Sequence, residues 1–214
     1  MDNSNRPDIR AYIGATGSGK GVSVREHLKA TKPARLVIWD PLREYHAFGR
    51  LVGSIPELCK AMKGECFAVV FWPGEELDKF PKSFDLFCRA VFSAGNVTVH
   101  IEELADVTTP SHAPPSWRRL TKQGRHRGLR IIAATQRPAD CDKAFLSGAT
   151  YIRGFTLRWP KDRKVLAECM DEPLIEIGSL TTVEKAGKTE ITFLEKDFRS
   201  GTRLRKSITV GGKK

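Results

Sequence analysis

Gly14, Ala15, Thr16, Gly17, Ser18, Gly19, Lys20 and Gly21 fit the pattern G-x-x-x-x-G-K-[ST] at every fixed position except the last. A loop of this kind curls its backbone N–H groups around a phosphate, and its lysine reaches the β/γ oxygens. Residues 14–22, with Val22 as the last, are therefore expected to cradle a nucleoside triphosphate, and Lys20 to balance its charge. Gly21 removes the hydroxyl that normally ligates Mg²⁺. Ser18 or Ser23 could supply an oxygen instead, or the ion could keep an extra water, which Mg²⁺ does readily.

Further candidates are acids, an amide and arginines. Glu102 and Glu103 follow the apolar run 97–101. Two carboxylates at a strand end suit one metal-holding group, assigned to Glu102, and one base for an attacking water, assigned to Glu103. Glutamate stands at the first position where aspartate is usual. Gln136 follows Ala133-Ala134-Thr135, where an amide can sense the γ-phosphate or the lytic water. Arg125, Arg127 and Arg137 flank these elements; Arg125 is the first candidate for a guanidinium acting on the phosphoryl group from a neighbouring subunit. Residues 40–45 read equally as a turn or as part of the nucleotide site. His46, His100, His112 and His126 show no ligand spacing. The five cysteines form no C-x-x-C and are expected to be reduced thiols.

These groups need strands that end beside one another. Runs at 9–13, 36–39, 67–72, 97–101, 129–135 and 151–156 read as strands. Segments 20–29, 54–62, 82–93, 116–123 and 162–169 read as helices, with Gly124 closing the fourth and a loop spanning 104–115. Residues 181–185 and 190–194 suggest a β-hairpin turning at Ala186-Gly187, and 211–214 a frayed tail. Alternating strands and helices predict an α/β fold, a mostly parallel sheet covered on both faces. Ligands bind such sheets at the carboxyl ends of strands, where the loop, the acid pair and Gln136 all fall.

The chain has 214 residues, 36 Lys plus Arg against 25 Asp plus Glu, and a net charge of +11, so a polyanion partner is expected. Part of this charge lies between Arg118 and Arg130 and part between Arg199 and Lys214. The length predicts one domain over 1–214 with its core at about 9–194. No apolar run is long enough to span a membrane, and the first seven residues lack the apolar stretch of a secretory signal.

Taken together, the segments 14–20, 39–45, 101–103, 125–129 and 134–138 resemble the FtsK/HerA superfamily of P-loop ATPases, over roughly residues 9–156. The Arg125-His126-Arg127-Gly128 step leading to Ala134-Thr135-Gln136-Arg137-Pro138 is the most specific part. The small size is similar to the genome-packaging ATPases of membrane-containing tailless viruses. That resemblance implies ATP and Mg²⁺ as ligands and double-stranded DNA as the polyanion. It also implies a homo-oligomeric, hexameric ring with an arginine acting between subunits, and capsid or membrane-vertex proteins as partners. It further implies a location in the host cytoplasm or at the packaging vertex. A small P-loop kinase and a zonula-occludens-toxin-like phage assembly ATPase are the alternatives.

Overall fold

The β-branched and aromatic runs of the chain form buried strands that alternate with amphipathic helices. The computed structural model describes residues 6–211. In chain order the elements are β1 (Asp8–Ile13), α1 (Lys20–Thr31), β2 (Arg35–Trp39), β3 (Arg50–Val52), α2 (Ile55–Ala61), β4 (Phe67–Phe71), α3 (Phe80–Ala94) and β5 (Thr98–Ile101). Then follow α4 (Pro115–Gln123), β6 (Arg130–Thr135), α5 (Lys143–Gly148), β7 (Tyr151–Gly154), α6 (Pro160–Met170), α7 (Leu174–Gly178), β8 (Thr182–Lys185), β9 (Lys188–Asp197) and β10 (Thr202–Gly211).

These strands build a ten-stranded sheet of order β10-β9-β7-β1-β6-β5-β2-β4-β3, with β8 also paired to β9. From β3 to β7 the pairings are parallel; β9 then runs antiparallel to β7, β8 and β10. Strand β6 lies between β1 and β5, with Ile13 opposite Thr135 and Ile101 opposite Ala133. The carboxyl ends of three neighbouring strands therefore meet, and residues 14, 102 and 136 leave the sheet side by side.

Alternation sends the strand residues to two cores. On one face Ile13, Val37, Trp39, Val99, Ile101 and Ile131 pack under residues of α2 to α7. There Trp39 stacks on Phe71 at 5.5 Å and meets the rings of Phe80, Phe84 and Phe87 edge-on. On the other face Tyr12, Ile38, Ile132 and Ala134 pack with Val24 and Leu28 of α1 and with Phe155, Ile191 and Phe193.

Several boundaries differ from the sequence reading. The fourth helix ends at Gln123 with Gly124 as its cap, as expected, but the chain stays right-handed there and continues as a 3₁₀ turn to Arg127, stopping at Gly128, whose φ is +66°. The expected terminal hairpin does turn at Ala186-Gly187, but it is part of a three-stranded meander, because β10 adds to the free edge of β9. Gly211, expected in the frayed tail, is the last residue of β10; residues 212–214 lie outside the described part. The short β3, α5 and α7 were also not anticipated.

Candidate active site

The loop between β1 and α1 owes its shape to close packing. Gly19 adopts φ +95°, and a Cβ there would lie 2.7 Å from Cδ1 of Ile191 in β9. Both the backbone conformation and the neighbour demand glycine. A Cβ on Gly14 would likewise lie 2.6 Å from Cβ of Phe155. Lys20 opens α1, and its buried ammonium lies 3.9 Å from Oε1 of Glu102. Phosphate binding at such a helix start uses free N–H groups and the helix dipole together.

Glu102 leaves β5 buried, at 4 % exposure. Its Oε2 accepts a hydrogen bond of 2.9 Å from the phenol of Tyr45, and Nε2 of His100 lies 3.0 Å from the same oxygen. Oε1 is left facing Lys20. Burial opposes ionisation of this carboxyl, but the hydrogen bond and charge of His100, the charge of Lys20 and the Tyr45 hydroxyl together hold its pKa below the ordinary value. Tyr45 is itself fixed by Asp40, whose carboxylate accepts from the backbone N–H groups of Glu44 and Tyr45. Residues 40–45 thus belong to the site, the alternative the sequence left even. Tyr45 was read only as part of that segment and His100 was given no role, because their contact with Glu102 becomes visible only in the folded chain.

Glu103 sits at φ +52°, a left-handed conformation that a glutamate rarely adopts. Its Oε1 accepts from Thr135 Oγ1 at 3.1 Å and from the backbone N–H of Gln136 at 2.9 Å. Its Oε2 is buried with no partner among the described residues. Burial raises the pKa of this carboxyl above its usual value, and the Gln136 N–H and Lys20 offset only part of that. Strain and a raised pKa at one carboxylate are the marks of a proton-accepting group. The Gln136 side chain meanwhile accepts a hydrogen bond from Thr16 of the loop. One residue therefore touches both the phosphate loop and the acid.

A cavity of about 290 Å³ opens at this edge. Its walls include residues 15–17 and 19–22, Glu102 and Gln136, together with Arg25, Glu44, Thr189, Ile191 and Val210. The last three come from the β9–β10 ribbon, which sequence reading did not connect to the site. The hydroxyls of Ser18 and Ser23 are buried without partners among the described residues.

The arginines separate. Arg125 precedes β6, at the end of the sheet opposite Gln136, a strand length of about 20 Å away. Arg127 donates to the carbonyls of Phe92 and Ser93. Arg137 is engaged with Asp140 at 2.8 Å and Asp162 at 3.1 Å. Arg125 is not spent in this way: among the described residues its one hydrogen bond is to the adjacent His126.

The parallel sheet and the glycine loop between β1 and α1 define the P-loop NTPase fold. Protein P9 of Pseudoalteromonas phage PM2 is 31 % identical over 182 residues, covering 81 % of this chain and 79 % of P9; the chain belongs to the family of that protein. No protein-family model matches the chain. Among solved structures it is similar to the genome packaging NTPase B204 from Sulfolobus turreted icosahedral virus 2 in complex with AMPPCP, with a TM-score of 0.71, 22 % identity and coverage of 92 % and 96 % of the two chains. It is also similar to the N-terminal domain of zonular occludens toxin from Neisseria meningitidis, with a TM-score of 0.51, 13 % identity and coverage of 95 % and 94 %.

Proposed function

We propose that this chain uses ATP hydrolysis to translocate double-stranded DNA, packaging a viral genome into a preformed capsid. The observation that carries the proposal is Gln136, bonded at once to the phosphate loop and to Glu103. A residue so placed can pass the state of the γ-phosphate to the sheet, which a motor needs and a simple binding protein does not. The likeness to a protein described as a genome packaging NTPase supports the same reading.

The triphosphate lies along the backbone N–H groups of residues 14–22, with Lys20 against the β/γ oxygens. The donor set suits a hard divalent cation: Glu102 offers Oε1, while Tyr45 and His100 hold Oε2 back. Bound beside Glu102, Mg²⁺ would supply charge neutralisation on the phosphates, coordinated by phosphate oxygens, water and Glu102 without a hydroxyl from position 21. Glu103 uses its unpartnered Oε2 to orient the attacking water and take its proton. Arg125 stabilises the transferring phosphoryl group in the next subunit of a ring, taken to be hexameric.

Contact with DNA falls to the exposed basic residues of α4: Arg118, Arg119 and Lys122. The basic residues of β10 are less suited, because Arg203 and Arg205 are paired with Glu172 and Glu176, and Lys206 lies beside Glu195. Capsid or membrane-vertex proteins complete the machine, in the host cytoplasm or at the packaging vertex. Among the described residues no helix is long and apolar enough to cross a membrane.

The test is ATP turnover by the assembled oligomer with and without double-stranded DNA. Stimulation by DNA is expected. Turnover indifferent to DNA, with binding to coat protein alone, would instead favour the assembly role of a zonula-occludens-toxin-like ATPase.

A further inference from the structure

Gly21 departs from its motif, yet nothing in its own backbone calls for glycine: it is the second residue of α1 and does not adopt a left-handed φ. What occupies the space is Arg25. A Cβ built on Gly21 would lie 3.3 Å from Nη1, 3.6 Å from Nη2 and 3.7 Å from Cζ of that guanidinium. The two residues are one turn apart on the same face, and helical side chains lean toward the amino end. The guanidinium therefore overhangs the place where the loop hydroxyl would stand, and it lines the same cavity as Lys20 and Glu102.

It is also uncommitted. The carboxylate of Glu44 is 3.8 Å away, too far for a hydrogen bond, and the Tyr45 ring lies 5.8 Å from Cζ. Among the described residues no hydrogen bond engages Arg25. Its side chain is one-third exposed, open to a ligand entering the cavity. A planar guanidinium with five donors suits phosphate oxygens better than any other side chain.

We propose that Arg25 is a phosphate-binding residue of the nucleotide site, donating to the β- or γ-phosphate from the space left open by Gly21. The inference rests on the triphosphate reading of the loop. It makes Gly21 and Arg25 one device: the loop has exchanged a metal-ligating hydroxyl for a fixed cation, so that phosphate recognition depends less on the divalent ion.

The test is equilibrium binding of a fluorescent ATP analogue to the full chain, with Mg²⁺ and in EDTA, alongside the matching AMP analogue. In EDTA, Arg25→Gln should weaken the ATP analogue roughly tenfold or more, the worth of a charged hydrogen bond, and the AMP analogue far less. Arg25→Lys should fall between. Gly21→Ser, which crowds the guanidinium, should weaken binding in EDTA. Equal affinity of Arg25→Gln and the unaltered chain for the ATP analogue, or equal losses for ATP and AMP analogues, would overturn the proposal. Lys20→Ala serves as the reference. If it too binds unchanged, the loop itself has been misread; if it loses the nucleotide while Arg25→Gln does not, only the role of Arg25 falls.

Discussion

The phenol of Tyr45 and the carboxylate of Glu102, 57 residues apart in the chain, are joined by a buried hydrogen bond of 2.9 Å. It holds Oε2 of the carboxylate and leaves Oε1 facing Lys20, 3.9 Å away. Tyr45→Phe should leave Oε2 with His100 alone and let the carboxylate rotate. Turnover is expected to fall up to about tenfold with little change in KM, since a charged hydrogen bond is worth about 1.5–3 kcal/mol and not all of it bears on the reaction. Steady-state kinetics decide it; a pure KM effect would show that the bond serves binding only.

Glu103→Gln should separate binding from chemistry. Nucleotide affinity is expected to stay within a few-fold, while turnover drops by roughly 10²–10⁴, the usual worth of a positioned base. Lys20→Ala should lose both. Hydrolysis that survives Glu103→Gln would remove Glu103 from the base role.

The two glutamates should respond oppositely to pH. Burial, only partly offset by hydrogen bonds and Lys20, raises the pKa of Glu103, so the native state holds its proton more firmly than the unfolded chain. Stability from this group therefore decreases as pH rises from the unfolded value through the raised native one, and the deficit is complete above the native value. Glu103→Gln should raise Tm at neutral pH, and the gain should shrink on acidification. Turnover, which needs the ionised form, should fall on acidification at a pH above the ordinary carboxylate range. Glu102 is the reverse case. Burial opposes its ionisation, but His100, Lys20 and Tyr45 prevail and lower its pKa. Its contribution is present above the unfolded value and lost as pH falls through the native one. Melting curves and pH–rate profiles of the two variants test both signs.

Arg125, set at the far end of the sheet from its own Gln136, should matter only in assemblies. Arg125→Ala is expected to lose most turnover in the oligomer while keeping nucleotide affinity. Mixing it with Lys20→Ala should restore part of the activity, because some mixed interfaces then pair an intact loop with an intact arginine. No recovery in mixed rings, with full assembly, would shift the role to another residue.

Trp39 joins the aromatic core directly to the turn that carries Tyr45. Trp39→Ala should destabilise the chain by about 3–5 kcal/mol. Trp39→Phe should cost less, since the indole N–H has no partner among the described residues to lose. Denaturant unfolding of the two variants gives the comparison.

The loop, the acid pair and Gln136 were legible because each lies at the end of a strand whose apolar run declares itself locally. Gly124 marked the end of the helix through Gln123, and close packing against Leu129, 3.2 Å from a Cβ placed there, adds a second reason for glycine at that position. Strand β10 was hidden by its arginines. Leu204, Ile208 and Val210 keep the spacing of a strand, but Arg203 and Arg205 read as solvated charge until Glu172 and Glu176 are seen beside them. Tyr45 was signalled only as the end of the 40–45 segment, and Arg25 and His100 carried no signal at all, since what makes them part of the site is distance in space, not spacing in the chain.

The contact between Gly19 and Ile191 has a consequence for genetics. A substitution at Gly19 meets two separate obstacles, the isoleucine side chain and a backbone angle of +95°. Shortening Ile191 removes the first and leaves the second untouched. Second-site suppressors of a Gly19 lesion should therefore be scarce, and those found in the β9–β10 ribbon should restore nucleotide binding only in part.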